Sequence, residues 1–255
     1  MIPKIVHYCW FSGEPYPEEI QRCIDSWHKY LPDYEFRLWD MNAVKDIDNV
    51  FLQEALQERV WAFAADYVRL YALYHFGGIY LDTDIMVYKP FDDLLTHRAF
   101  IGKGNYIYFL YTGSAQYLTS HSMGAEPQHP FIVDSLRYYD NRHFITSPHN
   151  DLPRPLRLNL VLLPYIHAEI AKQYGYEWSP LNQSVQYCKE GLVIFPTYYF
   201  NNLKNRHNYC HHLGMSGWHP EDRGRLLSFS YYARMIIVSP IRRFLRLLHF
   251  EIREL

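Results

Sequence analysis

The sequence predicts an α/β protein: a Rossmann-like, mostly parallel sheet with flanking helices. Three observations carry this. A buried-type strand opens the chain at Ile2–Trp10. Strands then alternate with helical stretches over roughly the first hundred residues, the pattern of a parallel sheet with crossover helices. Finally, apolar strand segments bracket an acidic pair just after a double glycine, Gly77-Gly78. Element by element, Phe11–Pro17 is a Gly/Pro loop, and Pro17–Tyr30 reads as a helix. Glu18 and Glu19 stand where the helix dipole favours acids, while Ile20, Cys23, Ile24 and Trp27 recur on one face. Pro32-Asp33 ends that helix, and Tyr34–Trp39 alternates as a second strand. Helices over Val50–Gln57 and Trp61–Phe76 follow, the second stopped by Gly77-Gly78. Ile79–Leu81 and Ile85–Tyr88 are strand segments on either side of Asp82-Thr83-Asp84. From Tyr106 to Pro180 the periodicities are mixed, with helices expected at His129–Tyr139 and Tyr165–Tyr174; Leu192–Phe195 is a late strand. No repeat or linker divides the chain, so one domain is expected over 1–228 with a C-terminal appendage over 229–255.

Composition narrows the functions. Of 255 residues, 49% are hydrophobic and 18% aromatic, which excludes a disordered chain. The 25 Lys+Arg nearly balance 27 Asp+Glu, so no global positive charge exists to release phosphate counterions, and no nucleic-acid partner is expected. The 24 tyrosines suit a protein that handles sugars or nucleotides with polar-tipped rings. Cys9, Cys23, Cys188 and Cys210 form no C-x-x-C pair and read as reduced thiols of a cytoplasmic protein. The opening MIPKIVHYCWF has no basic leader, and no uncharged apolar run is long enough to span a bilayer.

Charge is unevenly spread. From Leu203 onward nine Lys/Arg face four Asp/Glu. Ser239-Pro240 makes a good helix start, with Ser as N-cap and Pro in the first turn. Ile241, Phe244, Leu245 and Leu248 then share one face, and Arg242, Arg246, His249 and Arg253 the other. Such a helix either lies on an anionic membrane surface or packs against the main domain or a partner's groove.

The strongest chemical signal is Asp82-Thr83-Asp84. Carboxylates at i and i+2 point to opposite faces of a regular strand, but at a strand end or bend both can turn to one cation. Hard oxygen ligands suit Mg²⁺ or Mn²⁺. The flanking Ile79, Leu81, Ile85 and Val87 set these acids in an apolar strand context, where unpaired charge is costly. Upstream, Asp66 and Arg69 share a helical face, as a surface ion pair or as an acceptor–donor pair for sugar hydroxyls. Trp10 ends an apolar strand, in the core or as a stacking platform.

The run Ala65–Asp84 resembles the sugar-binding region containing a DXD motif of glycosyltransferase family 32, and is similar to the catalytic core of the large clostridial glucosylating toxins. Ile2–Trp10, Ile194–Phe200, Tyr209–His212 and Ser216-Gly217-Trp218 resemble the family as well. The resemblance implies a GT-A fold and retaining, metal-dependent transfer of a hexose from a nucleotide-sugar, foremost a UDP-sugar, to a saccharide acceptor. The acceptor class includes lipid-linked saccharides, in capsular or other cell-surface polysaccharide synthesis at the inner face of the cytoplasmic membrane. Under the resemblance Asp84 ligates Mn²⁺ or Mg²⁺, Asp82 sits between metal and donor, and His211 or His212 adds a ligand, with His212 preferred. Asp66 and Arg69 hold donor-sugar hydroxyls, Trp10 stacks on the base, Tyr80 joins the donor-binding set, and Ser216 and Trp218 bind the diphosphate side. Asn182-Gln183 falls where similar folds offer an amide beneath the anomeric carbon. Two other classes fit the same residues less well: a metal-dependent nucleotide-sugar hydrolase using Asp82, Asp84 and His212, and a membrane-associated carbohydrate-binding protein.

Overall fold

The computed structural model describes residues 1–104, 117–147, 157–179, 182–200 and 207–215. Ser216, Trp218 and the 229–255 appendage, with its expected domain boundary, lie outside the described residues.

The first half alternates as expected. Strand β1 (Ile5–Cys9) leads to α1 (Glu18–Tyr30), β2 (Glu35–Trp39), α2 (Met41–Val44), α3 (Val50–Gln57) and α4 (Trp61–Phe76). Asp40 and Asn49 cap α2 and α3 by accepting the Ala43 and Leu52 amides. Helix α4 ends at Gly77, whose φ of 63° is open to glycine at little strain. A Cβ on Gly78 would stand 2.6 Å from the Ile5 carbonyl oxygen, so this glycine lets β3 (Gly78–Leu81) lie close beside β1. Then come β4 (Ile85–Val87), β5 (Ala99–Lys103), β6 (Leu118–Ala125), α5 (Pro130–Arg137), α6 (Leu163–Ala171), β7 (Gln186–Tyr187), β8 (Leu192–Phe195) and β9 (Cys210–His212).

Seven strands form one sheet in the order β2-β1-β3-β6-β5-β8-β7. β1 pairs parallel with β2 and β3, and β5 with β8. β6 runs against β3 and β5, and β7 against β8, so β1, β2, β3, β5 and β8 share one direction and the sheet is mostly parallel by strand direction. Strand β4 leaves it and pairs antiparallel with β9 in a separate two-stranded sheet. Helix α1 makes that departure possible. Trp27 Nε1 donates to the Ile85 carbonyl at 2.7 Å, and Ser26 Oγ accepts the Val87 amide at 2.9 Å.

Both faces of the sheet are covered. Val6, Ile79, Phe100 and Val193 pack with Ile20, Ile24 and Trp27 of α1. Their alternating neighbours Tyr80, Ile101, Met123 and Ile194 pack with α3, α4, α5 and α6. Among the described residues no helix is long and apolar enough to cross a membrane.

Two buried histidines are held neutral. His7 Nε2 donates to the Gly77 carbonyl at 2.8 Å and Nδ1 accepts from Trp39 Nε1 at 3.2 Å; burial lowers its pKa to about 4. On α6, His167 is fully buried against the Phe131 ring, and among the described residues neither ring nitrogen has a hydrogen-bond partner. Burial, with Arg69 adding to it, lowers its pKa to about 3. Because the folded pKa lies below the unfolded one, His167 withholds a proton that the unfolded chain takes up as pH falls through 6.5. Stability therefore falls toward acid by about 1.4 kcal/mol per pH unit from this residue. His167→Phe is expected to raise stability by about 1 kcal/mol at pH 7.5, by removing an unsatisfied polar ring. Its advantage should widen below pH 6.5. Urea unfolding of both proteins from pH 8 to 5 checks this, and an advantage that stays constant with pH would contradict it.

Candidate active site

The β3–β4 junction builds the site. The ladder of β3 ends at Leu81, and the next amide, of Asp82, donates to the His121 carbonyl of β6 at 2.9 Å. The Ile85 amide closes the turn on the Asp82 carbonyl at 3.1 Å. Asp82 and Asp84 are thus in a turn between strands and partly exposed, rather than inside one buried strand. The apolar flanks misled because they belong to two strands in two different sheets. This bend frees both carboxylates from opposite-face alternation.

The register of β9 supplies the third group. Ile85 pairs with His212, which brings His212 Nε2 to 3.2 Å from Asp84 Oδ1. The Leu213 amide donates to the Asp84 carbonyl and the Met215 amide to Asp84 Oδ2, each at 3.0 Å. One ligand atom each from Asp82, Asp84 and His212 lies within 4.8 Å of the others. His211 is outside this group, since neighbours on a strand face opposite ways. Burial alone would raise the Asp84 pKa, but the His212 contact and the Met215 amide outweigh it and hold the carboxyl below its usual range. Burial disfavours the His212 imidazolium, yet Asp84 and Asp82 bring its pKa up. Two carboxylates and an imidazole suit a divalent cation of the Mn²⁺ kind, with Mg²⁺ relying more on the oxygens.

Behind this cluster lies a buried ion network. Arg69, 3% exposed, reaches Asp66 Oδ1 at 2.9 Å and Asp82 Oδ1 at 3.3 Å through one nitrogen. Its other nitrogens donate to the Ala65 and Ser120 carbonyls. The Asp66–Arg69 pair is therefore buried, not a surface pair. Burial pushes Asp66 up to about 7; Arg69 opposes this, Asp82 adds to it, and the Leu163 amide at the start of α6 opposes it. Tyr80, 1% exposed, lies with its ring 4.4 Å beneath the Arg69 guanidinium. It supports the site from below. Cys9, a small packing residue by its sequence, is part of this floor, where burial raises its thiol to about 12.

Trp10 follows β1 and is half-buried. Its Nε1 donates to the Glu14 carbonyl at 2.7 Å, and its ring meets the edge of Tyr16 at 5.0 Å. The Asn182 carbonyl accepts from Lys103 Nζ at 2.6 Å, which ties its loop to the end of β5. Sequence reasoning missed His121, whose ring stacks on His212 with centroids 4.6 Å apart. It also missed the backbone groups of Ser120, Leu163 and Met215, which act without side chains and leave no residue signature.

A mostly parallel α/β sheet thus carries a carboxylate–imidazole cluster at a strand end, beside a buried Asp–Arg–Asp network. Residues 17–101 match the family model described as the glycosyltransferase sugar-binding region containing DXD motif. It is 28% identical over 235 residues to mannosyl phosphorylinositol ceramide synthase SUR1 of Saccharomyces cerevisiae, covering 87% of this chain and 53% of the relative. It is 26% identical over 235 residues to inositol phosphoceramide mannosyltransferase 3 of Schizosaccharomyces pombe, covering 88% and 57%. The chain thus spans little more than half the length of these relatives. Among solved structures it resembles the PaToxG glycosyltransferase, with a TM-score of 0.46, 17% identity and 68% of each chain covered.

Proposed function

We propose that this chain is a retaining glycosyltransferase that moves a hexose from a nucleotide-sugar, foremost a UDP-sugar, to a saccharide or glycolipid acceptor with the help of Mn²⁺ or Mg²⁺. The observation that carries the reading is the convergence of Asp82 and Asp84, inside the matched region 17–101, with His212 of β9. The relatives named as an inositol phosphoceramide mannosyltransferase and a mannosyl phosphorylinositol ceramide synthase support a hexosyl donor and a lipid-type acceptor.

Asp82, Asp84 and His212 would hold the cation, which would supply positive charge to offset that of a leaving nucleoside diphosphate. The chain's own groups do the rest. Arg69 fixes Asp82 and Asp66 against each other, so both carboxylates are oriented before a donor arrives. Asp66 accepts a hydroxyl of the donor sugar, and Trp10 offers its face to the base. Ser216 and Trp218, which lie outside the described residues, take the diphosphate side of the donor in this reading.

A panel of nucleotide-sugars screened by thermal shift with and without Mn²⁺, followed by UDP-release assays, tests the reading. Metal-dependent stabilisation by one donor, with release accelerated by an acceptor, is expected. Equal release without acceptor would favour the hydrolase, and no metal-dependent release at all a carbohydrate-binding protein. We further propose that the basic tail docks on anionic membrane at the inner face of a bacterial envelope, where surface polysaccharide such as capsule is assembled on lipid-linked acceptors. In liposome flotation at low salt, the full chain is expected to rise with anionic vesicles and a truncation after Ser230 to stay behind. Equal behaviour of the two would sink the membrane role.

A further inference from the structure

We infer that His121 is the positioning residue of the cation site: its ring holds His212 and its backbone holds Asp82. The inference rests on reading Asp82, Asp84 and His212 as that site. His121 lies in β6, between β3 and β5, and is 8% exposed. Its carbonyl takes the Asp82 amide at 2.9 Å, where β3 gives way to the turn. Its ring lies against the His212 ring at 4.6 Å between centroids and 23° between planes. Ser122 Oγ lies 3.0 Å from His121 Nδ1.

His212 needs such support. It arrives on a three-residue strand whose ladder fixes the backbone but not the rotation of the imidazole. A ligand must present one nitrogen lone pair within a narrow angle, and the partners that orient metal-bound histidines govern metal affinity about 10–100-fold. A flat ring packed face to face restricts that rotation. One residue of the rigid central sheet thereby ties together two ligands that come from different sheets.

The test uses the full-length chain and Mn²⁺ alone, without donor. Affinity is read by isothermal titration, and the number of coordinated imidazole nitrogens by pulsed electron paramagnetic resonance. His121→Ala is expected to weaken Mn²⁺ binding by about tenfold or more, whereas His121→Phe, which keeps a flat face, should restore most of it. One imidazole nitrogen should couple to Mn²⁺ in the unaltered chain and in His121→Phe, and none in His212→Ala. Thermal melts accompany each variant, and a melting temperature of His121→Phe close to that of the unaltered chain shows that the comparison is between folded proteins. Unchanged affinity in His121→Ala, with loss in Asp84→Asn, would overturn the role of His121 alone. So would two coupled nitrogens, which would make His121 a ligand. Absence of Mn²⁺ binding in the unaltered chain would overturn the cation site itself.

Discussion

In Asp84→Asn, Mn²⁺ affinity is expected to fall roughly a hundredfold or more, because even the partners of ligands govern ~10–100-fold and this change removes a ligand charge. The substitution keeps the shape, and the Asn side-chain oxygen can still accept the Met215 amide that Asp84 Oδ2 accepts at 3.0 Å. The fold should therefore survive, with a melting temperature in metal-free buffer near that of the unaltered chain. Metal-dependent binding of nucleotide-sugar should vanish with the metal. Calorimetry with Mn²⁺, then with donor plus Mn²⁺, reads both steps. Turnover that persists unchanged in Asp84→Asn would remove the acidic turn from the mechanism.

Arg69→Ala is expected to be the most destabilising single change in the site, by about 3–5 kcal/mol, since it leaves two carboxylates facing each other without their shared cation. Asp66 is nearly buried, and Arg69 spans it and Asp82 at 2.9 and 3.3 Å. Arg69→Lys should recover little, because one ammonium cannot reach both carboxylates and both carbonyls as the guanidinium does. The pH dependence carries a sign. Burial already raises Asp66 toward 7, and losing Arg69 raises it further. A raised carboxylate pKa means the folded state prefers the proton, so the damage should shrink as pH falls from 8 toward 5. Urea unfolding at the two pH values measures this, and Asp66→Asn combined with Arg69→Ala should return part of the loss. A loss under about 1 kcal/mol would mean the network is solvated in solution.

The parts of the fold that could be read in the sequence are those governed by local pattern. Helices α3 and α4 and strand β8 follow from apolar period and glycine stops. Strand β6 was not legible: Leu118–Ala125 is buried along its whole length, yet four of its eight residues are Thr, Ser or His. Thr119 Oγ1 accepts the Gly102 amide of β5 and the Ser122 hydroxyl meets His121, so neither alternation nor an apolar run marks the strand. The departure of β4 from the main sheet depends on Trp27 and Ser26, whose contacts with it span 58 and 61 residues. The acidic pair was visible because both ligands sit within three residues. The choice between His211 and His212 needed the register that sets Ile85 against His212. His121 escaped notice because it acts through a ring face and a carbonyl, which any residue-type motif overlooks.

The two-stranded β4–β9 sheet sets an order of events in time. The Met215 amide that holds Asp84 stands 131 residues beyond it. At ~5–20 residues per second of synthesis, Asp84 waits on the order of ten seconds for that partner. Asp82 waits far less, since Arg69 precedes it and the Ser120 carbonyl that anchors Arg69 follows within the same half of the chain. The guanidinium, the two carboxylates and the Ser120 carbonyl of the ion network are therefore all synthesised while the cation ligands are still one short. The emergence of His212 is the moment at which the cation site closes, so incomplete chains carry the acidic turn without the full ligand set.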